Sequence, residues 1–167
     1  MQIRDERDEE DAAAISRVTA AAFANAPHSS GTEARIVAAL RQAGALTISL
    51  AAVSDDGSIV GHVAFSPVQI DRTAGRWYGL GPISVVPEMQ RQGIGRALIR
   101  EDLARLAAIN ASGCVLLGDP AYYSRFGFVS DPALTYAGEP SPYFQRLLLR
   151  GDPPNGDVSY HRAFDVR

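Results

Sequence analysis

The chain contains a single cysteine, Cys114, among its 167 residues. One cysteine cannot form an internal disulfide, so the sequence does not predict a disulfide scaffold, and we expect a reducing compartment, the cytoplasm. No apolar run approaches the roughly 18 residues that a membrane-spanning helix needs. Met1 is followed by charged residues rather than by the apolar segment of a secretory signal. Neither membrane contact nor secretion is therefore predicted.

The sequence also lacks an excess of basic charge. Its 16 Lys and Arg residues are outnumbered by 19 Asp and Glu residues, which gives a formal net charge of −3. A mildly acidic chain does not favour nucleic acid as its main partner. The 46% hydrophobic share and the absence of repeats or linkers predict one globular domain, residues 1–167, with a sizeable core.

Predicted secondary structure places antiparallel strands before a strand–loop–helix unit. A short strand around Ile3 and two helices, 8–23 and 32–42, come first, since their apolar residues recur at helical spacing. Three strands joined by tight turns then form a meander, and the apolar run Cys114–Leu117 predicts a buried strand parallel to its neighbour. Residues 131–142 are predicted to be a loop. The predicted strands lie at 46–53, 59–70, 77–86, 114–117, 147–149 and 158–164.

The stretch 80–99 is the part of the chain around which the rest is organised. Its strand should stop at Pro87, and Gly93 and Gly95 then form a loop that opens a helix. Unpaired N–H groups at such a helix start bind phosphate. A dinucleotide fingerprint would need a third glycine where Leu98 stands, and the Gly-Lys-Ser/Thr of a mononucleotide loop is absent.

Two motifs in this stretch and after it carry a family resemblance. Gln90-Arg91-Gln92-Gly93-Ile94-Gly95 resembles the Gln/Arg-x-x-Gly-x-Gly/Ala loop with which GNAT N-acetyltransferases bind acetyl-CoA. About thirty residues later, Tyr123-Ser124-Arg125-Phe126-Gly127-Phe128 resembles the Tyr-x-x-x-Gly-Phe ending of that family. Together with Leu80-Gly81-Pro82 and Gly118-Asp119-Pro120, these motifs are most similar to the YhbS-like subgroup of predicted bacterial N-acetyltransferases.

The resemblance implies a fold, a cofactor and a set of contacts. The implied fold is α/β (α+β): a mixed central sheet with an antiparallel N-terminal meander, two strands that splay apart at the cofactor cleft, and flanking helices. Acetyl-CoA is the implied cofactor, coenzyme A the product, and no metal is implied. The cofactor-binding residues predicted in this way are Ile83, Ser84, Val85, Arg91, Gln92, Gly93, Ile94, Gly95 and Arg96.

The reaction implied by the resemblance is direct acetyl transfer from the thioester to a primary amine. Tyr123 matches the family's tyrosine near the sulfur, and a phenol with a pKa of about 10 is a suitable proton donor to a departing thiolate. Tyr122 is expected to point elsewhere. The general base stays open, because residues 77–86 contain no Asp or Glu. His62, Glu33, a water chain or no base at all are the alternatives.

The acceptor is not identified by the sequence. In the family the first two helices and their loop line the acceptor site, which makes His28, Ser29, Ser30 and Glu33 the implied contacts. Acyl-chain preference is equally open, and a homodimer is a family expectation. Two other functions remain: a CoA-binding regulatory module without turnover, and a dinucleotide-binding oxidoreductase.

Overall fold

The computed structural model describes residues 1–27 and 29–167. Within these residues, eight strands and four α-helices follow one another along the chain. The elements are β1 (Gln2–Asp5), α1 (Glu9–Phe23), α2 (Glu33–Gln42), β2 (Ile48–Val53), β3 (Ile59–Ile70), β4 (Thr73–Val85), α3 (Ile94–Ala108), β5 (Gly113–Leu117), α4 (Pro120–Tyr123), β6 (Leu134–Tyr136), β7 (Phe144–Leu148) and β8 (Gly156–Tyr160).

The strands form one mixed sheet in the order β1-β2-β3-β4-β5-β7, with β8 pairing with both β3 and β6. The strands β2, β3 and β4 are an antiparallel meander, β1 pairs antiparallel with β2, and β5 lies parallel to β4. This mixed sheet with flanking helices confirms the predicted fold class. The antiparallel meander before the strand–loop–helix unit also separates this fold from a doubly wound dinucleotide-binding domain, in which the strands are parallel.

The helices cover the two faces of the sheet. On one face α3 packs closely against β3. The approach is so tight at Gly61 that a Cβ added there would lie 3.1 Å from Leu98 Cδ1. Leu98, Phe65 and Val63 belong to the largest hydrophobic cluster on this side. The other face is covered by α1, which begins where Asp8 accepts a hydrogen bond of 2.9 Å from the Asp11 N–H. Burial of both faces thus fixes α3 and α1 on opposite sides of the same strands.

Two strand boundaries differ from the prediction because of turn geometry. β4 begins at Thr73, earlier than expected, because the chain reverses at Asp71 and Arg72 alone. Both residues have positive φ, 51° and 62°, which forms a tight hairpin and leaves residues 73–76 in the strand. β8 ends at Tyr160, because the His161 ring then accepts a hydrogen bond of 3.0 Å from the Ala163 N–H and starts a short 3-10 turn.

The C-terminal region contains two further differences, and β2 begins at Ile48, two residues after its predicted start. Residues 134–136 form β6 inside the segment predicted to be a loop, and β6 pairs in parallel with β8. β7 spans Phe144–Leu148, three residues before its predicted start. Within the described parts of the chain, no helix combines the length and apolar character that crossing a membrane requires.

Candidate active site

A cleft opens where β4 and β5 separate. The two strands pair only at Trp77–Gly113, Tyr78–Cys114 and Gly79–Val115, among the described residues. β5 then continues beside β7 to Leu117, while β4 continues beside β3. The register of β4 against β3 shifts at Gly81 and Pro82, which are joined by a cis peptide bond. A bulge of this kind bends its strand, and here β4 turns away from β5.

The edge of β4 that faces the cleft carries free backbone groups. Val86 N–H donates to the Val60 carbonyl at 2.9 Å, so β4 residues alternate between facing β3 and facing away from it. By this alternation Ser84 faces His62, its register partner on β3. The backbone groups of Ile83 and Val85 point the other way, into the cleft. The Val85 carbonyl already accepts a hydrogen bond of 3.0 Å from Gln90 Nε2.

The loop after β4 ends in a cluster of unpaired N–H groups. Arg91 and Gly93 both have positive φ, 64° and 89°, and the first hydrogen bond of α3 joins Ala97 N–H to the Gly93 carbonyl at 3.0 Å. The six N–H groups of residues 91–96 have no hydrogen-bond acceptor within the described chain. These donors and the positive end of the helix dipole form a site for an anion such as a pyrophosphate.

A cavity of about 350 Å³ lies over this loop. Of the predicted cofactor-binding residues, it brings together Val85, Arg91, Gly93, Ile94, Gly95 and Arg96. Gln92 lines a neighbouring cavity of about 280 Å³ instead. Ile83 lies further back along β4, whereas Ser84 faces β3 with its backbone and α1 with its side chain rather than the cleft. The phosphate end and the strand end of the predicted site are therefore two adjacent parts of one cleft.

Two residues of α4 and the turn after it complete the cavity, and the sequence prediction missed both. Tyr122, which was expected to point elsewhere, lines the cavity, with its hydroxyl 3.6 Å from the place that a Cβ on Gly95 would take. Arg125 lies beside it: its guanidinium sits 4.5 Å from the centre of the Tyr122 ring, and its Nε donates to the Tyr122 carbonyl at 2.8 Å. Tyr122 and Arg125 are three residues apart, and this spacing in a helical turn was the sequence signal that could have placed them side by side.

Tyr123 follows Tyr122 at the end of α4, shortly after β5, and does not line the cavity over the loop. Its ring rests on Gly118, where a Cβ would come within 2.5 Å of Tyr123 Cε2. Edge-to-face contacts with Tyr122 and Phe128, at 5.0 and 6.0 Å between ring centres, fix its orientation. Burial, together with the neighbouring Tyr122, raises the pKa of Tyr123 to about 12. The phenol therefore keeps its proton at neutral pH.

His62 and Ser84 lie behind β4 on the α1 side. Both are buried, and Ser84 Oγ lies 3.3 Å from Thr19 Oγ1 of α1. His62 Nε2 lies 2.8 Å from Ser49 Oγ. Burial lowers the pKa of His62 to about 4, so the imidazole is neutral at physiological pH.

The predicted acceptor contacts lie between α1 and α2. Ser29 Oγ donates to the Glu33 carboxylate at 2.7 Å, and Ser30 Oγ lies 3.4 Å from the same group. With Phe23 these residues line a cavity of about 340 Å³. His28 lies outside the described residues. Glu33, Ser29 and Ser30 thus form one polar pocket apart from the cleft-lining residues named above.

Comparison with known proteins gives consistent similarities. Residues 47–130 match the model of the acetyltransferase (GNAT) domain. The Escherichia coli K12 protein named uncharacterized N-acetyltransferase YhbS is 39% identical over 143 residues, which cover 81% of this chain and 85% of YhbS. These similarities agree with the resemblance in the two sequence motifs.

Two solved structures are similar over almost the whole chain. One is a GNAT family acetyltransferase from Brucella melitensis in complex with acetyl-CoA, with a TM-score of 0.87, 52% identity and coverage of 98% of this chain and 97% of the other. The other is Escherichia coli YhbS in complex with CoA, with a TM-score of 0.87, 34% identity and coverage of 99% and 92%.

Proposed function

The chain belongs to the GNAT acetyltransferase family, and we propose that its β4–β5 cleft transfers the acetyl group of acetyl-CoA directly to a primary amine. As a member of this family it is an acetyl-CoA-dependent N-acetyltransferase. One observation carries the location: the six N–H groups of residues 91–96, which have no acceptor in the described residues, lie at the start of α3, in the loop that follows β4. An anion site next to an open strand edge suits a ligand with a pyrophosphate at one end and an amide-bearing arm.

The loop is proposed to hold the phosphates. The N–H groups of residues 91–96 would donate to pyrophosphate oxygens, and Arg91 and Arg96 would add positive charge. Gly93 leaves the approach open, since no atom of the described residues lies within 4 Å of the place that its Cβ would take. Tyr122 and Arg125 close the same cavity from the α4 side.

The strand edge and Tyr123 are proposed to serve the reacting end. Acetyl-CoA supplies an activated acetyl thioester. The backbone groups of Ile83 and the N–H of Val85 would pair with the arm and polarise the carbonyl, because β5 leaves this edge of β4 unpaired and, within the described residues, only the Val85 carbonyl is occupied, by Gln90. Tyr123 would then give its proton to the leaving thiolate, a role that its protonated state at neutral pH permits.

One observation favours the alternative of a CoA-binding regulatory module. Residues 77–86, which lead into the loop, contain no Asp or Glu that could act as a base. The dinucleotide alternative has no such support, because Leu98 is fully buried where a third glycine would be needed. Binding and turnover are therefore measured separately.

Isothermal titration of acetyl-CoA tests the site, with Gly93→Glu as the disrupting variant. Wild-type protein should bind, and Gly93→Glu should show no binding heat, because a carboxylate would repel phosphate and a left-handed φ of 89° disfavours any side chain. Gly151→Glu is the matched control: Gly151 has φ 80°, equally open surroundings, and a position outside the cleft. Equal loss of binding in both variants would contradict the site, and NAD serves as the negative ligand.

Release of free CoA thiol in the presence of an amine panel then tests turnover. Binding without thiol release across the panel would favour the regulatory module. The proposal takes residues 1–167 as one domain acting in the cytoplasm, where the buried thiol of Cys114 would stay reduced. A homodimer is a further proposal from family expectation, and light scattering would test it.

A further inference from the structure

A continuous chain of hydrogen bonds runs from the protein surface to His62. Arg41 binds Glu6 through Nε and Nη2, at 2.8 and 2.6 Å. Ser49 Oγ donates to Glu6 Oε1 at 3.0 Å and lies 2.8 Å from His62 Nε2. Glu6 and Ser49 line a surface cavity of about 350 Å³, so the outer end of the chain reaches solvent.

The hydrogen-bond chain fixes the tautomer of His62. Burial alone would raise the pKa of the Glu6 carboxyl, but the hydrogen bonds and the charge of Arg41 lower this pKa. Glu6 is therefore an acceptor at neutral pH and takes the single hydroxyl proton of Ser49. Ser49 can then only accept from His62, which places the imidazole proton on Nε2. Nδ1 is left as a bare lone pair.

That lone pair has no donor within the described residues, although His62 is fully buried. The hydroxyl groups of Thr19 on α1 and of Ser84, the register partner on β4, are also committed. Thr19 donates its hydroxyl proton to the Ile15 carbonyl at 2.8 Å, so the 3.3 Å contact between Thr19 and Ser84 uses the Ser84 proton. A buried acceptor without a donor is rare and costly, which marks Nδ1 as the place where a proton donor enters.

We propose that His62, Ser49 and Glu6 form a proton relay from the β4 side of the cleft to solvent, which takes up the proton that the acceptor amine loses. The proton passes from the amine nitrogen to a water molecule and on to Nδ1, as Nε2 gives its proton to Ser49 Oγ and Ser49 gives its own to Glu6 Oε1. Glu6 then releases a proton to the solvent-filled cavity. This inference rests on the proposed function, and it supplies the base that residues 77–86 lack.

His62 is poised for transfer rather than for storage of a proton. The titratable groups that face it are Glu6, which follows β1, and Arg41 of α2; α1 and β4 contribute the neutral Thr19 and Ser84. Burial keeps its pKa near 4, so the imidazolium would exist only in passage. His62 acts here through water, and we class it as a positioning and relay residue.

The first test measures the tautomer directly. Long-range ¹H–¹⁵N spectra of the wild-type imidazoles should show His62 neutral and protonated on Nε2 between pH 6 and 8, a range well above its pKa of about 4. A proton on Nδ1, or a charged ring in that range, would overturn the relay whatever the turnover experiments give. This measurement needs no acceptor.

The second test compares two amine probes, butylamine, which is protonated at pH 7, and hydroxylamine, which is neutral. His62→Gln keeps a side-chain amide beside Ser49 but cannot pass a proton through itself, and Ser49→Ala interrupts the next step. Both should lower kcat for butylamine by about 100-fold at pH 7. Both should approach wild type near pH 9, where hydroxide takes over, and both should lose much less with hydroxylamine.

Ser66→Ala is the matched control. Ser66 is fully buried on β3, on the same face as His62, and its hydroxyl also has no partner within the described chain. It should leave the pH profile of kcat unchanged. Equal losses with both amines, or losses that persist at pH 9, would show that His62 and Ser49 are only structural. A wild-type protein that binds acetyl-CoA but transfers to neither amine would instead count against the proposed transfer, and the tautomer would then decide on the relay.

Discussion

The two walls of the cleft use different parts of the polypeptide. The β4 wall, residues 83–96, presents backbone: the edge of β4 at Ile83 and Val85, which β5 does not pair, and the N–H groups of residues 91–96, which have no acceptor in the described residues. The β5 wall, residues 118–128, presents side chains: Tyr122 and Arg125 line the cavity, and Tyr123 packs beside Tyr122 on the same short helix. A wall of backbone donors tolerates exchange of its side chains, but not a new Cβ that blocks the approach of the ligand. A wall of side chains depends instead on particular functional groups.

The largest expected effect comes from substituting the two adjacent tyrosines, Tyr122 and Tyr123, one at a time. Tyr123→Phe removes the proposed proton donor and should lower kcat by about 100-fold while leaving the Kd for acetyl-CoA unchanged. Tyr122→Phe is its matched partner, because the two rings are adjacent and in edge-to-face contact. It should leave kcat near wild type and weaken acetyl-CoA binding slightly. Measuring kcat by thiol release and Kd by titration separates the two, and the reverse pattern would assign the proton donor to Tyr122.

The β4 wall could be predicted from the sequence, while most of the β5 wall could not. Residues 90–96 are contiguous, so glycine spacing and helix-start physics were enough to locate the donors. The direction of Tyr122 depends on its approach to Gly95 on α3, which is distant in sequence, whereas Tyr123 packs on Gly118 and Phe128 within its own segment. Nothing local distinguishes two neighbouring tyrosines in such a segment.

The same distinction holds for the fold. α1 was predictable because its acidic first turn and apolar stripe are local signals. β6 was not, since a three-residue strand is defined by its parallel partner β8, about twenty residues away. The chain from Arg41 through Glu6 and Ser49 to His62 draws on four separate segments, so only the fold reveals it.

Gly118→Ala tests how far the β5 wall depends on position. The new Cβ would lie 2.5 Å from Tyr123 Cε2, so the ring has to move. We expect roughly a tenfold loss of kcat, the usual order for a misplaced catalytic group, with a small change in Kd. Gly75→Ala is the control, because Gly75 lies in β4 with nothing within 4 Å of its Cβ position. A wild-type kcat for Gly118→Ala would mean that the position of Tyr123 is not critical.

Asp102 tests the helix that supports the β4 wall. It lies on α3, fully buried, and neither carboxylate oxygen has a partner within the described residues. Burial raises its pKa well above the ordinary value, with Arg105 opposing. A raised folded-state pKa means that stability is highest below the unfolded value near 4 and falls as pH rises toward the folded value.

Asp102→Asn should therefore be more stable than wild type at pH 8, by about 1 kcal/mol or more, and nearly equal to it at pH 4. Urea unfolding at the two pH values measures the difference. Asp71→Asn, on an exposed hairpin turn, controls for the loss of one negative charge. Equal differences at both pH values would show that Asp102 is not protonated on folding. Binding of acetyl-CoA should be unchanged, since Asp102 does not line the cavity.

The smallest expected effect is at Arg125, where the β5 wall reaches the phosphate loop. Its guanidinium is exposed, lines the cavity and stacks on Tyr122, so Arg125→Gln removes one charge near the phosphates and one cation–π contact. Exposed charge contacts of this kind contribute roughly 0.5 to 1 kcal/mol, which predicts a two- to fivefold rise in Kd. Because screening weakens such contacts, the difference from wild type should shrink as salt is raised from 50 to 500 mM. Arg100→Gln is the control, because Arg100 lies on the exposed side of α3 and outside the cavity lining, and it should leave the Kd for acetyl-CoA unchanged. An equal rise of Kd in both variants would mean that only the overall charge of the protein matters.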